Sequence, residues 1–214
     1  MAYPAEYLIR IFKGSCPKLN FNKELYPHQK ILEVSCGDGR NLTMLRKCGF
    51  TVCGTEISEE IIQKTLLNLS DCGISDSVIK VGHNGNLPYS NEEFDFLIAW
   101  NVCYYKSEGY SFLDHVKEYS RVLKPKAYLV LSIPQKTAFI YEGSEKIKES
   151  SENLAIIHKD PYGIRNGTSI YIFDGEDEIE KAFSPYFSNF IFASIFDDCF
   201  GHKYHFHICV CTKI

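Results

Sequence analysis

A chain of 214 residues with 45% hydrophobic and 23% charged side chains carries enough apolar material for one substantial core, and no second domain over 1–214 is required. A formal net charge of −4 with scattered lysines argues against nucleic acid as a partner, since phosphate-backbone binding needs a basic stripe. No apolar run reaches the roughly 18 residues of a membrane span and no signal-peptide pattern stands at Met1, so no membrane partner and a cytoplasmic location are expected. The nine cysteines, none in a C-x-x-C pair, read as reduced thiols packed as small apolar groups.

The N-terminal "YPAEYLIR", with Pro4 at a helix start, predicts a helix over about 3–14. "ILEV" at 31–34 is the first strand, and a small-residue loop, "SCGDG", leads into a crossover helix at 41–48 closed by Gly49. "FTVCGTE" is the second strand and ends on Glu56. Ser58 then reads as an N-cap, with Glu59 and Glu60 in the first turn and Ile61, Ile62, Thr65, Leu66 and Leu69 on one helical face. "SVIKVG", "FDFLIAW" and "AYLVLSI" supply strands three to five, and Phe112, Leu113, Val116 and Tyr119 mark the helix between the last two. Nearly continuous apolar strands alternating with helices predict βαβ units and a parallel sheet covered on both faces. "NFIFASIF" and "KYHFHICVCTK" are separated only by "DDCFGH", too short for a helical crossover, so they pair as an antiparallel hairpin. The intervening stretch, about 134–187, is too long for a simple connection. It is expected to form an inserted cap on the acceptor side, its polar run at 143–153 mobile without ligand.

The glycine loop admits two cofactor classes. A dinucleotide fingerprint needs G-x-G-x-x-G, and aligning Gly37 and Gly39 with its first two glycines puts Leu42 where the third belongs. The pattern present is acid-x-small-x-Gly-x-Gly: Glu33, Ser35, Gly37, Gly39. It resembles the class I S-adenosylmethionine (SAM) dependent methyltransferases, in particular the small-molecule, type 11-like branch, whose loop reads like "LEVGCGxGRN". "HNGNLPYSNEEFDFLIAWN" and "EYSRVLKPKAYLVLSIP" resemble two further segments of that family in the expected order. Ser35 replaces the usual first glycine, and "PKA" at 125–127 replaces "PGG".

The resemblance implies a three-layer α/β sandwich, Rossmann-like, with a seven-stranded, mostly parallel sheet and the antiparallel hairpin at its end. It implies SAM as cofactor and S-adenosylhomocysteine as product, held by the loop residues Glu33, Ser35, Cys36, Gly37 and Gly39. Glu56 would take the ribose hydroxyls, since a carboxylate accepts two hydrogen bonds side by side. Ile57 would lie flat on adenine, and Asn101 belongs to the same set. His83 stands where an aspartate normally receives the adenine amino group, so either His83 in one tautomer or Asn84 takes that role.

Aromatic Trp100, Tyr104 and Tyr105 follow the fourth strand, where open α/β sheets place ligands and where ring faces stabilise a sulfonium. Tyr104 and Tyr105, with Tyr3 and Arg10 from the N-terminal helix, are the candidates for substrate contact. Methyl transfer needs no obligatory base, and His83, Tyr104 and His158 are the candidates if one acts. His202, His205 and His207 lack an acidic partner at metal-ligand spacing, so no metal is expected.

The Asn/Asp-Pro-Pro-Tyr/Phe tetrad of nucleobase amino-methyltransferases is absent after the fourth strand, where "WNVCYY" stands. The expected reaction is therefore transfer to an O or N atom of a small polar acceptor, with a sugar or secondary-metabolite precursor suggested by family analogy. A nicotinamide-dependent oxidoreductase and a non-catalytic SAM-binding protein are the alternatives. The oligomeric state is not legible.

Overall fold

The computed structural model describes residues 3–147 and 152–214. A seven-stranded sheet runs in the order β3-β2-β1-β4-β5-β10-β9. Its parallel half is β1 (Lys30–Glu33), β2 (Thr51–Glu56), β3 (Val78–Val81), β4 (Phe94–Ala99) and β5 (Leu123–Pro134). Four helices lie along this half: α1 (Glu6–Lys13), α2 (Arg40–Lys47), α3 (Glu59–Asp71) and α4 (Phe112–Val122). Burial explains the apolar strands, since Ile31, Leu32, Leu97, Ile98, Leu129 and Val130 are fully buried between helical layers.

Local signals place the helices. Ser58 caps α3 by accepting the Ile61 N–H, and Ser111 with Asp114 forms a capping box on α4, each worth about 1 kcal/mol. The N-terminal helix spans Glu6–Lys13, starting after Pro4 because proline suits the approach to a first turn and Gly14 ends it. Its Phe12 enters a cluster of rings with Tyr26, Phe50 and Phe96, whose centroids lie 4.2–6.3 Å apart. At about 0.5–1.5 kcal/mol per favourable pair beyond area burial, this cluster fixes α1 on the sheet.

The chain closes with β9 (Phe187–Cys199) and β10 (His202–Lys213), and β10 is antiparallel to both β5 and β9. His202 belongs to β10 rather than to the turn, because the strands remain paired to Cys199↔His202. The stretch before the hairpin is not a plain loop. It contains a three-stranded antiparallel sheet of β6 (Glu145–Lys146), β7 (Leu154–Ile156) and β8 (Ser169–Tyr171), followed by α5 (Glu176–Phe183). This small sheet is tied to the chain after β4: Lys106 N–H donates to Ser169 O and Tyr171 N–H to Tyr104 O. The mobility expected for 143–153 falls partly on residues 148–151, which lie outside the described residues.

At "PKA", Lys126 itself adopts φ +64°, the left-handed conformation that glycine takes most readily. Among the described residues no helix is long and apolar enough to cross a membrane.

Candidate functional site

β1 delivers Glu33 to the carboxyl edge of the sheet, and the next six residues turn back through three left-handed positions: Ser35 (φ +53°), Gly37 (φ +58°) and Gly39 (φ +79°). Ser35 takes the strained backbone that glycine would take freely, held by donation of its N–H to Thr55 Oγ1 at 3.2 Å. A Cβ on Gly39 would press on Leu69 and Thr65 of α3 at 3.1–3.3 Å, so this glycine serves packing. A Cβ on Gly37 would meet no protein atom within 4 Å. The peptide is held from both ends: its N–H donates to Glu56 Oε1 at 2.5 Å, and its carbonyl accepts from Thr65 Oγ1 at 2.5 Å.

Glu56 ends β2 with 5% exposure, and its Oε2 accepts the Ile57 N–H at 3.2 Å. Each carboxylate oxygen thus retains accepting capacity. Ile57 beside it is 66% exposed, an apolar plate on the surface. Cys36 is buried behind the loop: its thiol would lie 2.7 Å from a Cβ on Gly54, and its N–H donates to Thr55 O. Burial pushes that thiol's pKa up, so Cys36 supports the loop as packing rather than as a side-chain ligand.

Glu33 is almost wholly buried. Its Oε1 accepts from Asn41 Nδ2 at 2.7 Å, and its Oε2 has no hydrogen-bond partner among the described residues. Burial pushes its pKa up to about 8, against the pull of the Asn41 amide and Arg40 and with added repulsion from Glu56 and Asp38. Asn41 Oδ1 in turn accepts the Ala5 N–H at 2.9 Å, which ties the start of α1 to the loop. Asn41 is the last residue of the "GRN" that closes the loop pattern, and only the folded chain shows that it links Glu33 to α1.

After β3 the two candidates for adenine separate. Asn84 is buried, with Oδ1 accepting from the Tyr119 hydroxyl at 2.6 Å and Nδ2 donating to Val102 O (2.9 Å) and Tyr105 O (3.2 Å). Its amide is a brace between loops, engaged at both ends by protein partners. His83 is half-buried and its ring faces Tyr110 at 5.1 Å. Its Nδ1 accepts the Gly85 N–H at 3.2 Å, so in the neutral ring Nε2 carries the proton and offers a donor, not the acceptor the role requires.

At the end of β4, Asn101 (φ +57°) meets Ser132 of β5 and Tyr204 of β10, two residues the sequence did not single out. Tyr104 is fully buried and stacks on Tyr105 at 4.8 Å. Burial raises its phenol pKa far above the ordinary value, which removes it as a base. The Tyr105 hydroxyl accepts from Arg165 Nε at 2.9 Å, and Arg165 pairs with Asp160 at 3.0 Å, so its polar end is engaged by the segment before β8. His158 lies 3.5 Å from Glu145, both side chains exposed, and no contact joins it to the glycine loop.

Tyr3 is 94% exposed, and Arg10 pairs with Glu6 at 2.6 Å on the open side of α1. Arg10 lines an apolar groove of about 410 Å³ against Ile191, Ile208 and Val210. Val210 pairs with Val130 in mid-strand, so this groove lies away from the carboxyl edge, and Arg10 is not placed with the loop. His202 stacks on Phe139 at 4.0 Å, His205 Nδ1 meets Thr137 Oγ1 at 2.8 Å, and His207 lies 3.6 Å from Glu176. Among the described residues no group of three or more His, Cys, Asp or Glu is placed to hold a metal.

The family model for the methyltransferase domain matches residues 7–177. A curated relative, an uncharacterized methyltransferase of Synechocystis sp., is 26% identical over 110 residues, which is 51% of this chain and 49% of that protein. The chain thus matches about half the length of that relative. Among solved structures, a SAM-dependent methyltransferase from Methanosarcina mazei superposes with a TM-score of 0.69 at 21% identity, covering 87% of this chain and 92% of that one. A Pyrococcus horikoshii protein does so with a TM-score of 0.66 at 17% identity, covering 86% and 83%. At these identities the structural likeness speaks to the fold.

Proposed function

Because the chain belongs to the methyltransferase-domain family, we propose that it uses SAM to methylate an O or N atom of a small polar acceptor. The observation that carries this reading is the Gly37–Glu56 cradle. A glycine peptide is pinned at both ends beneath space that no protein atom fills, beside a carboxylate with accepting capacity left over. These residues suit the cofactor chemically. Glu56 would accept from the ribose hydroxyls, exposed Ile57 would cover adenine, and the unpartnered Glu33 Oε2 lies at the end of the loop expected to face the methionine part.

SAM supplies a methyl group already activated by the attached sulfonium, so the protein's task is chiefly alignment and exclusion of water. Glu56 and Thr65 hold the loop rigid, Asn41 couples Glu33 to the covering helix α1, and Asn101 stands at the carboxyl edge where the acceptor would approach. Two of the three candidate bases do not favour proton abstraction: burial holds Tyr104 protonated, and His158 pairs with Glu145 on an exposed surface. This supports an acceptor that offers its own lone pair to the methyl group. The net charge of −4 favours a small molecule over nucleic acid, and a cytoplasmic setting agrees with the nine unpaired thiols.

The test is a metabolite panel incubated with protein and SAM and read by mass. The expected result is gain of one methyl by an acceptor together with S-adenosylhomocysteine. Tight SAM binding with no turnover on any acceptor would favour the non-catalytic alternative. Reduction of a nicotinamide cofactor without SAM binding would refute the proposal.

A further inference from the structure

Asn101, in the turn just beyond β4, takes φ +57°, a left-handed conformation that asparagine adopts more readily than most side chains and that clusters at functional sites. Two side chains hold it there. Ser132, fully buried on β5, accepts the Asn101 N–H at 2.8 Å and donates its hydroxyl to Oδ1 at 2.8 Å. That donation orients the amide, so that Nδ2 donates to the Tyr204 hydroxyl at 2.9 Å and the hydroxyl in turn lies 3.1 Å from Oδ1 as a donor. The Tyr204 ring stacks on buried Phe206, with centroids 4.3 Å apart and planes at 28°, which fixes its direction.

Tyr204 precedes Phe206, whose partner Pro134 is the end of β5, so the phenol stands beyond the carboxyl edge of the sheet. Burial raises the Tyr204 phenol pKa, and the Asn101 amide, the Trp100 indole and the Arg40 charge act against that rise while Tyr7 adds to it. Arg40 opens α2 directly after the glycine loop, and Tyr7 belongs to α1. The terminal hairpin therefore sends one side chain into the group of elements that frames the loop.

We propose that Tyr204 is a positioning residue for methyl transfer: it locks the Asn101 amide at the carboxyl edge, and through that amide it sets the discrimination between the methylated cofactor and its demethylated product. The inference rests on the SAM reading above. SAM and S-adenosylhomocysteine share adenine and ribose and differ by one methyl and one positive charge. Glu56 therefore acts on both alike, whereas a fixed neutral dipole at the transfer edge acts on the difference.

Calorimetric titration of SAM and of S-adenosylhomocysteine into wild type, Glu56→Ala, Tyr204→Phe, Asn101→Gly and the Tyr204→Phe/Asn101→Gly double variant tests this. Glu56→Ala should weaken both ligands by the same factor. Tyr204→Phe should weaken SAM by about 5–10-fold and its product by less than about 2-fold, and Asn101→Gly should do the same. The double variant should be no worse than either single one, because one residue acts through the other. Trp100, the one tryptophan in the chain, adds a spectroscopic readout: its emission should respond to SAM in wild type and respond less in Tyr204→Phe.

Equal changes for both ligands in Tyr204→Phe, no change in either, or losses that multiply in the double variant would overturn the inference. Asn101→Gly carries the same arm if Tyr204→Phe fails to fold, since glycine accepts the left-handed backbone without strain. Wild-type protein that binds neither ligand would overturn the cofactor reading itself, a result visible before any variant is compared.

Discussion

Replacing Glu33 by glutamine should change how stability depends on pH. Burial is the leading cause of the raised pKa of this carboxyl, and the hydrogen bond from Asn41 at 2.7 Å offsets only part of it. The unfolded chain releases the Glu33 proton near 4.5, the folded protein near 8. Between those values unfolding releases a proton, so the stabilising effect of the protonated form is fully present below 4.5 and is lost as pH rises through 8. At about 1.4 kcal/mol per pH unit the whole excursion amounts to roughly 5 kcal/mol, and several kcal/mol of it falls between pH 5 and 8. Glutamine keeps the oxygen that accepts from Asn41 and removes the titration.

Urea unfolding of both proteins at pH 5, 6, 7 and 8 without cofactor checks this, because the wild-type minus Glu33→Gln difference cancels every other titrating group. The difference should shift in favour of the variant by several kcal/mol from pH 5 to 8. A difference constant to within about 0.5 kcal/mol would refute the account of Glu33 as a buried carboxyl held neutral by its surroundings.

His115 on α4, fully buried against Phe112 and Tyr171, is pushed down to about 4 by burial, the opposite sign. Its neutral ring contributes stability above pH 6.5 that is lost as pH falls toward 4, about 3 kcal/mol in all, and His115→Phe should flatten that acid limb of the urea midpoint. Gly37→Ala should cost only about 1 kcal/mol of stability, from the left-handed backbone alone, yet largely abolish SAM binding; calorimetry showing wild-type affinity would refute the cradle. Asn84→Ala should lower stability by about 1–3 kcal/mol, because it strands Tyr105 O and the Tyr119 hydroxyl, while Val102 O keeps the Tyr105 N–H. An unchanged thermal midpoint there would show that Asn84 is not the brace described.

Much of the fold is legible because its signals are local. Ser58 is followed at once by the helix it caps, the apolar strands report burial on both faces, and the short "DDCFGH" between two apolar runs admits only a hairpin, whose strands in the fold extend into it to leave two residues in the turn. The loop pattern from Glu33 to Gly39 is equally local. What cannot be read depends on contacts between distant segments. Asn84 looks like a ligand residue because its partners, Val102 and Tyr119, are 18 and 35 positions away. Tyr204 is one aromatic among many in a strand, and only the antiparallel register that sets Phe206 opposite Pro134 shows that it reaches Asn101, 103 positions earlier. The cap reads as a long loop because its strands are two or three residues long, too short for a period, and β8 draws part of its order from main-chain bonds to Tyr104 and Lys106.

The sheet order also has a consequence for how the molecule is made. β10 lies between β5 and β9, so one whole side of β5 waits for a partner that is synthesised after the cap and after β9. During that interval a nascent chain exposes a twelve-residue strand rich in leucine, valine and isoleucine, with a row of unpaired main-chain groups. A stalled or shortened product ending within the cap would carry the complete Gly37–Glu56 cradle and a sticky open edge together. The hairpin thus acts late in biogenesis as the element that pairs this side of β5 and moves the open edge of the sheet to β9.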